Sequence, residues 1–226
     1  MTEAVRASSP TPPGGERSRR ARLAVEYAVL FFGLVTAYTV ADVPGGPIPP
    51  LVVLGLAAWW YLRRRPDFDH ADLLRPAALR PALSRILALW AVALVLAVAA
   101  VAVLTPERLF DLPRERPLLW TAVMVFYPLF SVYPQELIFR AFLMHRYAPL
   151  FGTGVGAVAA SAAAFGFAHV IFGNVASVLL TVAGGWLFAR RYRATRSLLT
   201  ASVEHALYGV LAFTVGLGNL FYHAAL

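Results

Sequence analysis

The chain has 226 residues, of which 59% are hydrophobic, and its mean hydropathy is +0.66. This composition excludes an ordinary soluble domain and is typical of a membrane protein with several spans. The absence of cysteine excludes disulfides, thiolate chemistry and cysteine-ligated metals. The net charge is +8, and all 20 basic residues are arginine. Because these arginines fall between apolar runs, they indicate membrane topology and contacts with anionic lipids rather than a nucleic-acid surface.

A polar segment precedes the first apolar run. Residues 1–20 are rich in Pro, Gly, Ser and Arg, which predicts a disordered basic tail. Residues 21–226 are then expected to form a single transmembrane domain. The first apolar run is long enough to stay in the membrane as an anchor, so we do not expect it to be cleaved as a signal peptide.

Seven apolar runs predict an all-α fold, a polytopic membrane bundle of about seven transmembrane helices. The predicted spans cover residues 22–40, 51–62, 83–104, 118–144, 157–170, 175–189 and 198–217. A span needs about 20 residues, so the short second run must borrow from the Pro/Gly turn before it. The fourth run is long, and Pro128 and Pro134 predict kinks in it.

The loops alternate in charge, as expected for seven crossings. The basic segments fall on one side of the membrane: residues 1–22, 63–85, 145–146 and 190–196. The neutral loops at 105–117 and 172–174 fall on the other side. The positive-inside rule then predicts a cytoplasmic N-terminus, and we expect an integral protein of a bacterial plasma membrane.

The loop after the second span contains acidic residues that could be drawn as a metal cluster. The residues are Asp67, Asp69, His70 and Asp72. They follow three consecutive arginines in a polar segment, so a solvated connecting loop is the favoured interpretation.

A few ionisable residues lie inside the predicted spans. They are Glu26, which is close enough to a span end to reach water, and Glu136, Arg140, His169, Glu204 and His205. Ionisable groups within a bilayer cost several kcal/mol in total and are functional-site hypotheses by default. The alternative is a structural ion pair, because Glu136 and Arg140 are four residues apart and share one helix face.

Three short patterns on late spans carry a family resemblance. The patterns are Gln135-Glu136-x-x-x-Arg140, Phe165-x-x-x-His169 and His205-x-x-x-Gly209. Over about residues 118–217 the chain resembles the CPBP intramembrane proteases, which include the CAAX prenyl endopeptidases and bacteriocin-processing or Abi-type proteins. That family carries Glu-Glu-x-x-x-Arg, Phe-x-x-x-His and His-x-x-x-Asn on successive membrane helices.

The resemblance implies an intramembrane endopeptidase that hydrolyses a peptide bond of a membrane-associated protein or peptide. A glutamate and a histidine would activate water, with His169 orienting or deprotonating it. Arg140 would brace the carboxylate, and His205 would stabilise the tetrahedral oxyanion. The implied partners are this substrate and the lipid bilayer, with no nucleic acid.

Two positions depart from the family pattern. Gln135 stands where the family has its first glutamate, and an amide cannot accept the proton of water, so we expect Glu136 to take over. Gly209 replaces the asparagine, which removes one oxyanion donor unless Tyr208 or another group supplies it. Phe165 and Glu204 are further candidates for supporting roles.

Other chemistries remain open on the sequence. Two histidines and a carboxylate could form a zinc site from Glu136, His169 and His205, although the compact His-Glu-x-x-His spacing is missing. We favour no cofactor and a glutamate-type protease. The alternative functions are a catalytically impaired family member that acts as a membrane scaffold or chaperone, and a small proton-coupled transporter. The chain lacks the internal repeat that many transporters show.

Depth along the helices is a test of whether these groups can meet. Counted from the basic side at 1.5 Å per residue, Glu136 lies about 13 Å deep and His205 about 12 Å. His169 lies about 18 Å or about 25 Å deep, depending on where its helix begins. We therefore expect a tilt or an inward dip of the segment before it.

Overall fold

The computed structural model describes residues 13–41 and 43–221, and in these ranges the chain forms helices and turns without strands. The predicted all-α membrane class is thus confirmed. Seven helices follow the predicted spans: α1 (Pro13–Ala28, continued by π-helical Val29–Gly33 and by Leu34–Ala41), α2 (Ile48–Arg63), α3 (Leu79–Leu104), α4 (Pro117–Arg146), α5 (Val155–Ala168), α6 (Val175–Thr195) and α7 (Leu198–Val215). Shorter α- and 3₁₀-helical segments lie between and after them: His70–Leu73, Pro76–Ala78, Pro106–Arg108, Asp111–Glu115, Ala148–Phe151, His169–Phe172 and Gly218–Leu220.

Five helical segments are long and apolar enough to cross a bilayer. They are Gly15–Ala41, Pro76–Leu104, Pro117–Arg146, Val155–Phe172 and Leu198–Val215. α2 is apolar but shorter, and α6 carries three arginines near its C-terminal end. Length and composition therefore identify an integral membrane protein with five candidate crossings, where the sequence predicted about seven.

α1 begins inside the segment predicted as a disordered tail. Residues 1–12 of that tail lie outside the described residues, whereas 13–20 form the first turns of the helix. Proline at a first helical position, an acidic residue in the first turn and a run of arginines all favour helix there. The boundary at residue 20 was thus placed too far along the chain.

α4 stays helical through both of its prolines. Two π-helical segments interrupt its α-helical geometry, Pro128–Val132 and Leu137–Phe142. A proline lacks the backbone N–H, and the first wider turn, which begins at Pro128, accommodates the missing hydrogen bond. A Cβ added to Gly55 of α2 would lie 2.9 Å from Cβ of Pro134, so glycine allows α2 to pack against this proline.

Small residues allow α5 and α6 to pack closely along their length. α5 is rich in alanine and glycine, as expected where membrane helices approach through their backbones. A Cβ on Gly185 of α6 would lie 3.0 Å from the ring of Phe165, and a Cβ on Gly166 would collide with Val182. This approach holds the Phe165 ring between the two helices.

Interhelical hydrogen bonds join other helices of the bundle. The hydroxyl of Tyr27 on α1 donates to the backbone oxygen of Ala160 on α5 at 2.8 Å. The indole N–H of Trp90 on α3 donates to the backbone oxygen of Leu207 on α7 at 3.0 Å. Such contacts satisfy polar groups that the bilayer cannot.

Glu26 forms an ion pair between α1 and the end of α4. Arg146 donates to its two carboxylate oxygens at 2.9 and 2.7 Å, and the hydroxyl of Tyr147 donates to one of them at 3.0 Å. The carboxylate therefore has a structural role.

The acidic loop after α2 is folded onto the turn between α6 and α7. Asp72 is fully buried, and Arg75 and Arg196 hold its two oxygens at 2.7 and 2.5 Å. Asp69 contacts Arg75 at 2.5 Å, and the pKa of Asp69 is lowered because the backbone N–H of Ala71 and this arginine donate to it. The predicted solvated loop thus contains one carboxylate that solvent does not reach.

Candidate active site

Glu136 lies at the centre of the bundle and contacts a histidine from a distant helix. Its side chain is 0% exposed, and Nδ1 of His205 on α7 lies 2.9 Å from Oε1. An ionised carboxylate can only accept, so Nδ1 of His205 carries the proton and Nε2 is the acceptor of the neutral ring. The structure therefore brings together two of the predicted site residues, which are 69 positions apart.

Arg140 braces the same carboxylate from one turn further along α4. Its Nε lies 3.1 Å from Oε2 of Glu136, its Nη1 donates to Oγ of Ser161 at 2.9 Å, and its guanidinium lies 4.6 Å from the ring centroid of Phe165. The arginine side chain is 0% exposed. Among the described residues, Nε and Nη2 of Arg140 and Oε2 of Glu136 have no partner with good hydrogen-bond geometry. Coulombic attraction therefore holds this pair, but its hydrogen bonds are incomplete.

His169 presents a free ring nitrogen. It opens the 3₁₀ turn that ends α5, and its Nδ1 lies 2.7 Å from the backbone oxygen of Phe165. A carbonyl only accepts, so Nδ1 carries the proton and Nε2 keeps its lone pair.

Aromatic rings hold the two imidazoles in place. The ring of Phe165 lies 4.8 Å from that of His169 and meets that of His205 edge-on at 5.4 Å. Phe188 of α6 stacks on His205 at 4.6 Å with an interplanar angle of 14°. Both imidazoles thus pack against one phenyl ring, and three helices converge on this point.

Two of the predicted supporting residues lie outside this cluster. Arg191 of α6 donates to both carboxylate oxygens of Glu204 at 2.8 and 3.0 Å. Tyr208 packs on Phe188, with 5.9 Å between the ring centroids. Glu204 is therefore part of a separate ion pair, and the ring of Tyr208 contacts the far side of the cluster.

Gln135 occupies the position of the family's first glutamate. Its side-chain amide donates to Oγ of Ser131 at 2.7 Å, one turn earlier on α4. This hydrogen bond occupies the amide N–H₂ on its own helix and leaves the carbonyl oxygen as its remaining polar atom.

One residue of the cluster was missed by sequence reasoning. The hydroxyl of Tyr127 lies 3.3 Å from Nε2 of His205, so it contacts the ring nitrogen opposite Glu136. Tyr127 lies in an apolar run, nine residues before Glu136. In a regular α-helix nine residues place side chains about 180° apart, so the spacing gave no signal. The π-helical turn between the two residues changes that rotation.

The donor set does not fit a three-ligand metal site. Among residues 13–41 and 43–221, no group of three His, Asp or Glu side chains lies close enough together to hold a metal ion. Nδ1 of His205 faces Glu136, and Nδ1 of His169 faces a backbone carbonyl. The zinc set of Glu136, His169 and His205 is therefore not assembled.

Comparison with known families identifies this part of the chain. Residues 116–211 match the family model described as "Type II CAAX prenyl endopeptidase Rce1-like". This match is consistent with the CPBP family, and residues 116–211 are called the CPBP core from here on. The CPBP core runs from the start of α4 into α7 and contains every residue of the cluster above. The matching family is one of CAAX-protease-like intramembrane endopeptidases. No curated protein and no solved structure matches the chain.

Proposed function

We propose that the CPBP core hydrolyses a peptide bond of a membrane-associated protein or peptide, using water that His169 activates while Glu136 and His205 stabilise the charge that develops. The observation that supports this most is the 2.9 Å contact between Oε1 of Glu136 and Nδ1 of His205, with His169 packed on the same phenyl ring as His205. A carboxylate and two imidazoles held away from bulk water are groups that commonly exchange protons with a substrate.

His169 is the group best suited to take a proton from water. Its Nε2 has a lone pair and no hydrogen-bond partner among the described residues. As the water oxygen attacks the carbonyl carbon, one water proton moves to Nε2. When the C–N bond breaks, that proton passes to the leaving nitrogen, which gives a new carboxyl group and a new amine.

Glu136 acts on His205 rather than on water. Both of its oxygens face protein groups, one toward His205 and one toward Arg140. A buried carboxylate on Nδ1 fixes the tautomer of the imidazole and stabilises its protonated form. Protonated His205 has two N–H groups, which favours negative charge on a carbonyl oxygen close to it.

The first test is cleavage of a prenylated CAAX peptide by the purified chain in liposomes, followed by mass spectrometry. We expect His169→Ala, His205→Ala and Glu136→Ala each to lower kcat/KM by about a thousandfold or more. His145→Ala is the matched control, because His145 lies near Asp67 at the basic end of the bundle. Cleavage by all three site variants at the wild-type rate would contradict the proposal.

Metal dependence is tested in the same assay. We route no step through a metal, because three donors are not gathered in the cluster. Cleavage is therefore expected to survive prolonged dialysis against EDTA. Loss of cleavage that zinc restores would favour the metallo-type mechanism instead.

A second candidate is a catalytically inactive membrane scaffold. The observation in its favour is Gln135, whose amide donates to Ser131 where the family pattern has a carboxylate. A wild-type chain that inserts but does not cleave, together with a Gln135→Glu variant that does, would favour this candidate. Our proposal instead expects cleavage by the wild type.

A further inference from the structure

Tyr127 and Gly209 occupy one small region beside His205. The phenol oxygen lies 3.3 Å from Nε2 of His205, and the two rings meet edge-on at 6.3 Å. Gly209 follows His205 by one turn of α7. A Cβ added to Gly209 would collide with the hydroxyl and two ring carbons of Tyr127. Only glycine at position 209 therefore leaves space for this phenol.

The contact extends the polar network of the site to four side chains. Arg140 faces Glu136, Glu136 faces His205, and His205 faces Tyr127. The first three side chains are at least nine-tenths buried, whereas Tyr127 is partly exposed. Its hydroxyl is therefore the last polar group of the network, on the one member of the four that is partly exposed.

The direction of hydrogen bonding depends on the protonation of His205. In the neutral ring Nδ1 donates to Glu136, so Nε2 accepts and the phenol O–H donates to it. In the protonated form of His205, whose extra proton comes from solvent and not from the attacking water, Nε2–H donates to the phenol oxygen instead. The O–H of Tyr127 is then free to donate to another acceptor.

We propose that Tyr127 donates the hydrogen bond that stabilises the carbonyl oxygen of the substrate in the tetrahedral state, and that Gly209 is required to admit its ring. This rests on the proposed function, because it needs a carbonyl that becomes an oxyanion. It also accounts for the missing side chain at the end of the third motif: the phenol fills the space that an asparagine there would need.

Two substitutions, measured in the same peptide-cleavage assay, test the hydroxyl of Tyr127 and the space that Gly209 leaves for its ring. Tyr127→Phe keeps the ring and removes the donor, so we expect kcat to fall about a hundredfold with KM within threefold. Gly209→Ala displaces the ring and should lower kcat to a similar degree. Tyr208→Phe removes the neighbouring phenol, which packs on Phe188, and should leave kcat unchanged.

A rescue variant tells whether Tyr127 acts as a hydrogen-bond donor or only fills space. Tyr127→Ala vacates the space, and the double variant Tyr127→Ala/Gly209→Asn places an amide donor in it. We expect the double variant to recover at least tenfold in kcat over Tyr127→Ala. A purely structural Tyr127 predicts no such recovery.

The outcomes also separate this inference from the proposed function. Tyr127→Phe with wild-type kcat would overturn the role of Tyr127, while loss of cleavage in His169→Ala would still support the protease. No cleavage by the wild type, with the protein inserted and folded, would overturn both. A fall in kcat for Tyr127→Phe and Gly209→Ala, with rescue by the double variant, supports the inference.

Discussion

Two fully buried glutamates in this bundle each pair with an arginine, and the two pairs differ in how completely their hydrogen bonds are satisfied. Glu204 and Arg191 meet through two hydrogen bonds of 2.8 and 3.0 Å, so each carboxylate oxygen has a guanidinium donor. Glu136 and Arg140 meet through one longer contact of 3.1 Å, and three of their buried polar atoms lack a well-aligned partner among the described residues. Buried polar groups are rarely left unsatisfied in native structures, and the exceptions often mark functional groups.

The difference indicates separate roles for two residue pairs of the same chemistry. Glu204 and Arg191, which we call the closed pair because each carboxylate oxygen has a donor, join α6 to α7. Glu136 and Arg140, which we call the open pair, leave one carboxylate oxygen for His205 and so belong to the polar network that continues to Tyr127. An ion pair inside a membrane is therefore not a site by its presence alone, and its completeness decides between the two interpretations.

Breaking the closed pair should give the largest loss of stability. Arg191→Leu leaves the fully buried carboxylate of Glu204 without its cation, so we expect the free energy of unfolding to fall by about 3–5 kcal/mol. The double variant Glu204→Leu/Arg191→Leu should recover most of it, because an apolar pair replaces both charges. Denaturant unfolding in detergent micelles measures both. Loss of cleavage in the folded double variant would refute a purely structural role.

Removing the serine that holds Arg140 of the open pair should give a smaller effect, which is seen in activity rather than in stability. Ser161→Ala removes the acceptor of Nη1 of Arg140, so we expect kcat/KM to fall about tenfold, since a hydrogen bond to a charged group contributes about 1.5–3 kcal/mol. Ser202→Ala is the control, because its buried hydroxyl has no hydrogen-bond partner among the described residues. Equal effects of both variants would contradict the assignment of Arg140.

The ion pair of Asp69 and Arg75 is exposed and extends the comparison to the protein surface, where we expect the smallest effect. The folded protein lowers the pKa of Asp69, so its contacts stabilise the fold above the ordinary carboxyl pKa and are lost as pH falls through the lowered value. Asp69→Asn should therefore lower the melting temperature slightly at pH 7 and not at all in strong acid, because exposed pairs contribute little. A difference that persists unchanged in acid would contradict this account.

Much of the fold followed from the apolar runs. All seven predicted spans correspond to helices. A chain segment in a bilayer must form its backbone hydrogen bonds internally, so a continuous apolar run in the sequence indicates a helix. The start of α1 was placed too late, and where the sequence predicted kinks at two prolines, α4 is a continuous helix with two π-helical segments. Local rules cannot give these details, because packing against neighbouring helices decides them.

The candidate site was predictable only in part. Motif order grouped Glu136, His169 and His205 as catalytic and left Glu204 as a possible supporting residue. Adjacent residues point about 100° apart on a helix, and only the packing of α6 shows which one faces Arg191. Tyr127 gave no signal, since its approach to His205 depends on a π-helical turn and on a glycine 82 positions further along the chain.

The matched variants Glu136→Gln and Glu204→Gln test the central claim most directly. Both glutamates are 0% exposed and both face arginine, so the two changes are the same in chemistry and in burial. With a prenylated CAAX peptide in liposomes, we predict that kcat/KM falls about a thousandfold or more for Glu136→Gln and stays within threefold of wild type for Glu204→Gln. Equal rates in the two variants, with both proteins folded and inserted, would contradict the account.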